Sequence, residues 1–193
     1  MVASRVTRAL APFVASLAAA SHASAAELLV EGYKLVVKDT AASDKIVYVS
    51  RDPGVAIPIN VGVDPRDTGG TFLIRTYHTG TGDSETASFP LPASNWTAVS
   101  SPKGFIFKFI NQDAPAGVSG VRSLVIGQGR LKVRTMDAGV TLDEVQAAMD
   151  VRLDLGDSQW CSEFSTNITK TEPGFFVAKR QGFPPDGCTP ASP

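Results

Sequence analysis

The sequence predicts an all-β domain, a β-sandwich or jelly roll of about ten short strands with at most one short helix. Short runs rich in β-branched and aromatic residues recur along the chain, and clusters of Gly, Pro, Asp and Ser separate them. Several runs alternate apolar and polar side chains, the pattern of a strand with one buried face. Many short strands with frequent turns favour a sandwich or jelly roll over a closed barrel.

The first 25 residues are predicted to be a secretory signal peptide, which leaves residues 26–193 as one domain. Arg5 and Arg8 precede an apolar run over residues 9–20, and Ala-Ser-Ala at 23–25 fits a cleavage site. Pro, Ser and His interrupt the apolar run, so it is too short for the roughly 20 apolar residues of a transmembrane helix. We therefore expect a secreted protein, periplasmic or extracellular, without a membrane span.

The predicted strands follow one another along the domain. They are residues 33–38, 45–50, 71–77, 86–91, 95–99, 105–109, 121–126, 130–136, 151–155, 160–164 and 175–178. Pro90 and Pro92 predict edge strands in their neighbourhood, because proline cannot donate to a sheet ladder. Phe105, Phe107 and Phe109 lie two apart, which predicts that they share one core-facing side of a strand.

Two local patterns are more specific. Residues 121–126 and 130–136 alternate on either side of Gly127-Gln128-Gly129, which predicts a β-hairpin. Residues 141–149 are the only helix candidate, because they begin with the Thr-x-x-Glu spacing of a capping box.

The only two cysteines, Cys161 and Cys188, are predicted to form a disulfide that ties the C-terminal segment to the domain. Closing this loop would stabilise the fold by about 3 kcal/mol in the chain-entropy model. A zinc-type site would need more Cys or His, and His78 is the only histidine after the signal segment. We expect no cofactor, although Asp64 and Asp67 leave a structural calcium ion open.

Stretches at both ends of the domain resemble an uncharacterised β-rich domain of exported bacterial proteins. They are residues 33–39 and 91–96, Trp160-Cys161, residues 172–179 and Cys188. The resemblance implies the β-rich fold and export, and it implies no activity and no site residue. Ser165 and Thr166 stand where it leads us to expect a glycine pair.

Catalytic motifs are weak, so we expect no catalytic residue. Gly-Asp-Ser occurs twice, at 82–84 and 156–158, in predicted turns rather than near the start of an α/β domain. No G-x-S-x-G motif is present, and no motif pairs a nucleophile with His78. The carboxylates between residues 143 and 163 leave a glycosidase-like hydrolase open. Asp150 and Asp154, however, alternate with apolar residues as on a solvated strand face.

Two binding candidates remain. Trp96, which follows Pro92 and Asn95 in a loop-like setting, is predicted to be an exposed aromatic that contacts a sugar. Arg130, Lys132 and Arg134 form a basic stripe on the second strand of the hairpin, suited to an anionic glycan, a lipid headgroup or an acidic protein. The alternative interpretation, which needs no ligand, is a solvated sheet face whose charges discourage edge-to-edge aggregation.

Overall charge bears on the partner. The chain has 18 Lys and Arg against 19 Asp and Glu, which does not favour nucleic acid. We therefore expect a non-catalytic exported structural or interaction module whose partner is a glycan or a surface protein. The alternative is a small secreted hydrolase that uses carboxylates.

Overall fold

The computed structural model describes residues 26–55, 64–80, 84–102, 104–111 and 120–181. The predicted all-β fold is confirmed: these residues form thirteen strands in two sheets, with one four-residue helix and one 3₁₀ turn. The strands are β1 Ala26–Leu29, β2 Gly32–Thr40, β3 Ser43–Ser50, β4 Gly70–His78, β5 Ser84–Leu91, β6 Trp96–Ser101, β7 Gly104–Ile110, β8 Gly120–Ile126, β9 Leu131–Met136, β10 Gln146–Leu155, β11 Ser158–Phe164, β12 Ile168–Glu172 and β13 Phe175–Lys179. The helix α1 is Pro65–Thr68, and the 3₁₀ turn is Ala93–Asn95.

The strands divide into a small sheet of five strands and a large sheet of eight. The small sheet has the order β1-β11-β10-β4-β5, and the large sheet has the order β12-β13-β2-β3-β9-β8-β7-β6. Among the described strands, every pairing is antiparallel except that of β1 with β11, which is parallel. The buried side chains of both sheets form one hydrophobic cluster, as in a sandwich with its core between the layers.

Polar groups as well as apolar contacts join the two layers. The Tyr48 hydroxyl on β3 lies 2.7 Å from the Ser162 hydroxyl on β11, and Ser162 donates to the Val30 carbonyl over 2.7 Å. The Tyr48 ring meets Phe164 edge-on, with the ring centroids 6.1 Å apart. Burial raises the pKa of Tyr48, so the phenol stays neutral and holds this bridge.

Strand alternation determines which residues face out. On β10, Val151, Leu153 and Leu155 are buried, while Asp150 and Asp154 lie on the opposite side, as predicted. The same period of two gives β2, β3 and β9 one buried side that faces the core and one partly exposed side that faces out.

The predicted hairpin is confirmed as β8 and β9. Gly127, Gln128 and Gly129 all have positive φ angles, of 135°, 55° and 74°. A Cβ on Gly127 would lie 2.6 Å from the backbone oxygen of Phe105, so the turn is packed closely against the start of β7. This contact fixes the hairpin beside its neighbouring strand.

The helix predicted at residues 141–149 is wrong, because β10 begins at Gln146 within that segment. Hydrogen bonds from distant residues hold the segment extended. The Leu142 amide donates to Asp39 over 2.8 Å, and Thr171 exchanges hydrogen bonds of 2.9 and 3.1 Å with the Gln146 backbone. These tertiary contacts outweigh a capping pattern that would stabilise only one turn.

The prolines correctly predicted edge strands, whereas the prediction that Phe105 faces the core is wrong. β5, which contains Pro90, and β6 are edge strands of the small and large sheets. Phe107 and Phe109 are buried, but Phe105 is 40% exposed, because β7 begins beyond the limit of the core. The strand patterns did not predict β1 and β12, which are edge strands of the small and the large sheet and supply few core residues.

Several predictions lie wholly or partly outside the described residues. They are the signal peptide at residues 1–25, the first Gly-Asp-Ser turn and Cys188. Cys161 lies buried on β11, opposite Arg152 of β10, and its disulfide with Cys188 stays a prediction. In the part of the chain that the structure describes, no helix is long and apolar enough to cross a membrane.

Candidate anion-binding surface

The outer face of the large sheet is strongly basic. Its outward-facing strand cations are Lys34, Lys38, Lys45, Lys108, Lys132, Arg134, Lys170 and Lys179. Among the described strand residues of this face, Glu172 is the one carboxylate, and it lies 2.7 Å from Lys170. The remaining cations therefore create a positive surface potential over a face that spans eight strands.

The predicted basic stripe lies at a groove in this face. The groove has a volume of about 440 Å³ and lies over β7, β8 and β9. Its walls include Lys108, Arg130, Lys132 and Arg134, and its floor includes Val125. A second hollow of about 490 Å³ adjoins it and shares Arg130 and Lys132. The structure thus brings the three predicted cations together and adds Lys108 to them.

These four cations have no salt-bridge partner among the described residues. Partial desolvation lowers the pKa of Lys132, and the positive charges of Arg134 and Arg130 lower it further. An anion placed between them would favour the charged lysine and relieve the mutual repulsion of the three side chains. The groove therefore has the electrostatic character of a site for a negatively charged group.

The order of the strands argues against protection of a sheet edge as the reason for the basic stripe. β8 and β9 lie inside the large sheet, with β3 on one side of the hairpin and β7 on the other. Protection against edge-to-edge pairing needs charges on edge strands, so it does not account for Arg130, Lys132 and Arg134. Elsewhere on the face, Lys38 pairs directly with Lys45, an arrangement of like charges that destabilises a sheet by itself.

The prediction that Trp96 is exposed is wrong. Its side chain is 5% exposed and packs in the core, with its ring centroid 5.4 Å from that of Phe109. Its indole nitrogen donates to the Leu91 carbonyl over 3.3 Å. Trp96 is the first residue of β6 after the 3₁₀ turn, and the register opposite Phe109 points it inward. Its role is packing of an edge strand, and no sugar-contact role remains for it.

The buried aromatic residues Trp160 and Tyr48 do not offer a sugar platform either. Trp160 and Tyr48 are each 1% exposed. The Arg51 guanidinium lies 3.9 Å from the Tyr33 ring centroid, and on the outer face of the large sheet the Lys170 ammonium lies 4.0 Å from the ring centroid of Phe175. The rings of Tyr33 and Phe175 are therefore covered by cations rather than left free for stacking.

The outer face of the small sheet has the opposite sign. Its outward-facing strand carboxylates, among the described residues, are Glu27, Asp150, Asp154 and Glu163, against the cations Arg75 and Arg152. Both cations have partners on this face. Arg152 binds Asp154 through two hydrogen bonds of 2.6 and 2.7 Å, and Arg75 binds the Ser84 hydroxyl at 2.8 Å.

One carboxyl group on the small sheet is electrostatically unusual. Burial raises the pKa of Asp150, and the charge of Glu163, its register partner on β11, raises it further. The Tyr77 hydroxyl donates a hydrogen bond to Asp150 and offsets part of this rise. Burial and the neighbouring Asp150 raise the pKa of Tyr77 to about 12. This pair of acids is the best-placed carboxylate pair that the described strands offer.

The remaining candidates have structural roles. Asp64 is the N-cap of α1, where its Oδ1 accepts from the Arg66 amide at 2.9 Å while its carboxylate also binds the Arg66 guanidinium. No group of three or more metal-ligating side chains occurs among the described residues. His78 lies at the end of β4, with its Nδ1 3.7 Å from a Glu144 carboxylate oxygen.

Sequence reasoning found three residues of the surface and missed the others. Lys108 lies between two buried phenylalanines of β7, and Lys34 lies beside Leu35 on β2, so alternation alone indicates that both face out. Their membership of one surface depends on strand order, which the pattern does not contain. Comparison with protein-family models, curated proteins and solved structures finds no match. The resemblance to an exported bacterial β-rich domain stays a prediction.

Proposed function

We propose that this protein is a non-catalytic, exported interaction module that binds an anionic glycan at the groove over β7, β8 and β9. The observation that carries the proposal is the meeting of Lys108, Arg130, Lys132 and Arg134 at one groove with no carboxylate partner among the described residues. Sulfate and carboxylate groups of an acidic glycan complement such a cluster.

The choice of an anionic glycan over a neutral one follows from the aromatic residues. Trp96 is buried, and the rings of Tyr33 and Phe175 each have a cation over them. A neutral sugar would have to rely on ring stacking that these residues do not provide. An acidic sugar instead gains directly from the unpartnered cations.

The choice of a glycan over nucleic acid follows from the predicted location. The signal peptide expected at residues 1–25 directs the chain out of the cytoplasm and so away from the nucleic acid of the cell interior. Single-stranded nucleic acid also binds through base stacking on aromatic side chains. The cation-covered rings of this face serve that purpose poorly.

The experiment is a titration of the protein with dextran sulfate, followed by calorimetry, with neutral dextran as the reference ligand. The triple variant Arg130→Gln, Lys132→Gln, Arg134→Gln should weaken binding roughly 100-fold, at about 1 kcal/mol for each cation near an anionic surface. The control is Lys38→Gln, Lys45→Gln, Lys170→Gln, which removes the same charge from the same face away from the groove.

The two variants separate the outcomes. A large loss in the groove variant and a small loss in the control support the proposal. Equal losses would show diffuse attraction to the whole face and overturn a site at the groove. Absence of binding to dextran sulfate would also overturn it, and so would preferential binding of single-stranded DNA in a direct competition.

A carboxylate-dependent hydrolase is the second candidate, and the raised pKa of Asp150 beside Glu163 is the observation in its favour. A raised pKa suits a general acid. The test is hydrolysis of a panel of aryl glycosides by the wild-type protein and by Asp150→Asn. Turnover that the substitution abolishes would establish the hydrolase, and equal absence of turnover in both proteins would dismiss it.

A further inference from the structure

A single row of residues crosses five neighbouring strands on the basic face. Lys34 of β2 pairs with Val49 of β3, Val49 pairs with Lys132 of β9, Lys132 pairs with Val125 of β8, and Val125 pairs with Lys108 of β7. Paired residues lie on the same side of a sheet, so all five side chains point outward. We name this set the lysine row.

The lysine row has a regular spacing. Neighbouring strands lie about 4.8 Å apart, so lysines on alternate strands are roughly 10 Å apart, and Lys34 and Lys108 are roughly 19 Å apart. Lys179 of β13 pairs with Lys34 and extends the row by one more strand. The row therefore places cations on four of six neighbouring strands and runs across the strands rather than along them.

The two hollows of this face lie along the row. The hollow of about 440 Å³ includes Val125 between Lys108 and Lys132, and the hollow of about 490 Å³ includes Val49 beside Lys132. The short valine side chains leave room between the longer lysines. Together the hollows provide a trough that crosses β7, β8, β9 and β3 in the direction of the row.

Alternation of lysine and valine across the row also keeps the positive charges apart. A requirement for a soluble, charged surface would by itself explain that spacing. It would not explain why the cations of β2, β9 and β7 share one register row, or why the part of the row from Val49 to Lys108 coincides with a trough. Lys34 and Lys179 are moreover directly opposite each other, which spacing for solubility alone would avoid.

From the row and the trough, we propose that the ligand is a linear polyanion that lies across the strands, with anionic groups spaced to meet Lys34, Lys132 and Lys108 in turn. This inference rests on the proposed glycan-binding function and adds the orientation, the minimum length and the repeating charge of the ligand. A compact anion such as a single phosphate in the groove would lie near Lys108 and Lys132 and would not extend to Lys34, roughly 10 Å further along the row.

The experiment measures the affinity of the full chain for size-fractionated sulfated oligosaccharides of increasing length. Affinity should rise with length until the oligosaccharide spans about 20 Å, the distance from Lys34 to Lys108, and should then level off. Lys34→Gln should reduce the affinity of spanning oligosaccharides about fivefold and leave that of the shortest fragments unchanged. Lys45→Gln is the matched control, because it removes the same charge from the same face outside the row.

Each result separates this inference from the proposed function. Binding that depends on Arg130, Lys132 and Arg134 but not on length or on Lys34 would keep the groove and overturn the extended ligand. Equal effects of Lys34→Gln and Lys45→Gln would also overturn it. If the wild-type protein bound no sulfated oligosaccharide, including the shortest fragments expected at the groove, the proposed function itself would be overturned.

Discussion

The outer faces of the two sheets differ in sign and in how their charges are paired. Among the described strand residues, the large sheet presents eight cations and one carboxylate, while the small sheet presents two cations and four carboxylates. Both arginines of the small sheet have hydrogen-bond partners on that face, whereas most cations of the large sheet have no carboxylate partner among the described residues.

The contrast shows that the net charge of the whole chain does not reveal the charge of each outer face. The whole chain has a formal net charge of −1, from which a strongly basic surface would not be inferred. Strand order gathers the cations on one layer and the carboxylates on the other. A face that keeps like charges together loses stability through their repulsion, and an anionic partner would offset that loss.

The largest expected effect tests whether ligand binding depends on the core-facing side of the large sheet rather than on its outer face. Trp96→Ala should lower the free energy of unfolding by about 3–5 kcal/mol, because it leaves a cavity beside Phe109. Chemical denaturation measures this loss. The folded variant should bind sulfated glycan as tightly as the wild-type protein, and weaker binding by the folded variant would restore Trp96 as a ligand contact.

Salt gives the next largest effect. Raising the salt concentration from 50 to 200 mM should weaken polyanion binding roughly 100-fold, if about four cations displace counterions as they do on nucleic acid. The triple glutamine variant of Arg130, Lys132 and Arg134 should show a much flatter dependence. A steep dependence that the variant retains would place the contacts elsewhere on the molecule.

The hairpin turn connects the fold to the groove. Gly127→Ala should destabilise the protein by about 1–3 kcal/mol, because φ is 135° at this position and the added Cβ would approach the Phe105 oxygen. Thermal unfolding measures the effect. Gly120→Ala is the control, since nothing lies within 4 Å of a Cβ there. Similar losses in both variants would contradict close packing of the turn against β7.

The smallest effect concerns the acidic face and depends on pH. The pKa of Asp150 is raised in the folded state, so the folded chain holds a proton that the unfolded chain releases, and stability from this group falls as pH rises above about 4. Asp150→Asn should therefore be more stable than wild type at pH 7, and the difference should vanish by pH 3. Urea unfolding at both pH values tests this sign, and a less stable variant at pH 7 would contradict it.

The sequence predicted the layers of this fold better than its surface. Alternation placed Val151, Leu153 and Leu155 inside, and Gly127 and Gly129 marked the hairpin, because both signals are local. The context of Trp96 suggested a loop, but the register of an edge strand against Phe109 decides its direction. Likewise, Thr171 and Asp39 hold residues 141–149 extended from positions far along the chain.

The residues of the candidate site also fall into two groups: those that a local sequence pattern predicts, and those that only the strand order brings together. Arg130, Lys132 and Arg134 are close in sequence, so the pattern found them together. Lys34 and Lys108 join them only through the order of β2, β3, β9, β8 and β7, which is a property of the sheet and of no single segment. A surface assembled across strands therefore becomes visible only after the topology is known.

The most direct test of a ligand site on the basic face follows the backbone amide resonances of the isotope-labelled protein during titration with a sulfated oligosaccharide, because these resonances report on both outer faces at once. We expect shifts that concentrate along the lysine row, at Lys34, Val49, Lys132, Val125 and Lys108, with the small sheet unchanged. Shifts centred on Asp150 and Glu163 of the small sheet, or no shifts at all, would contradict it.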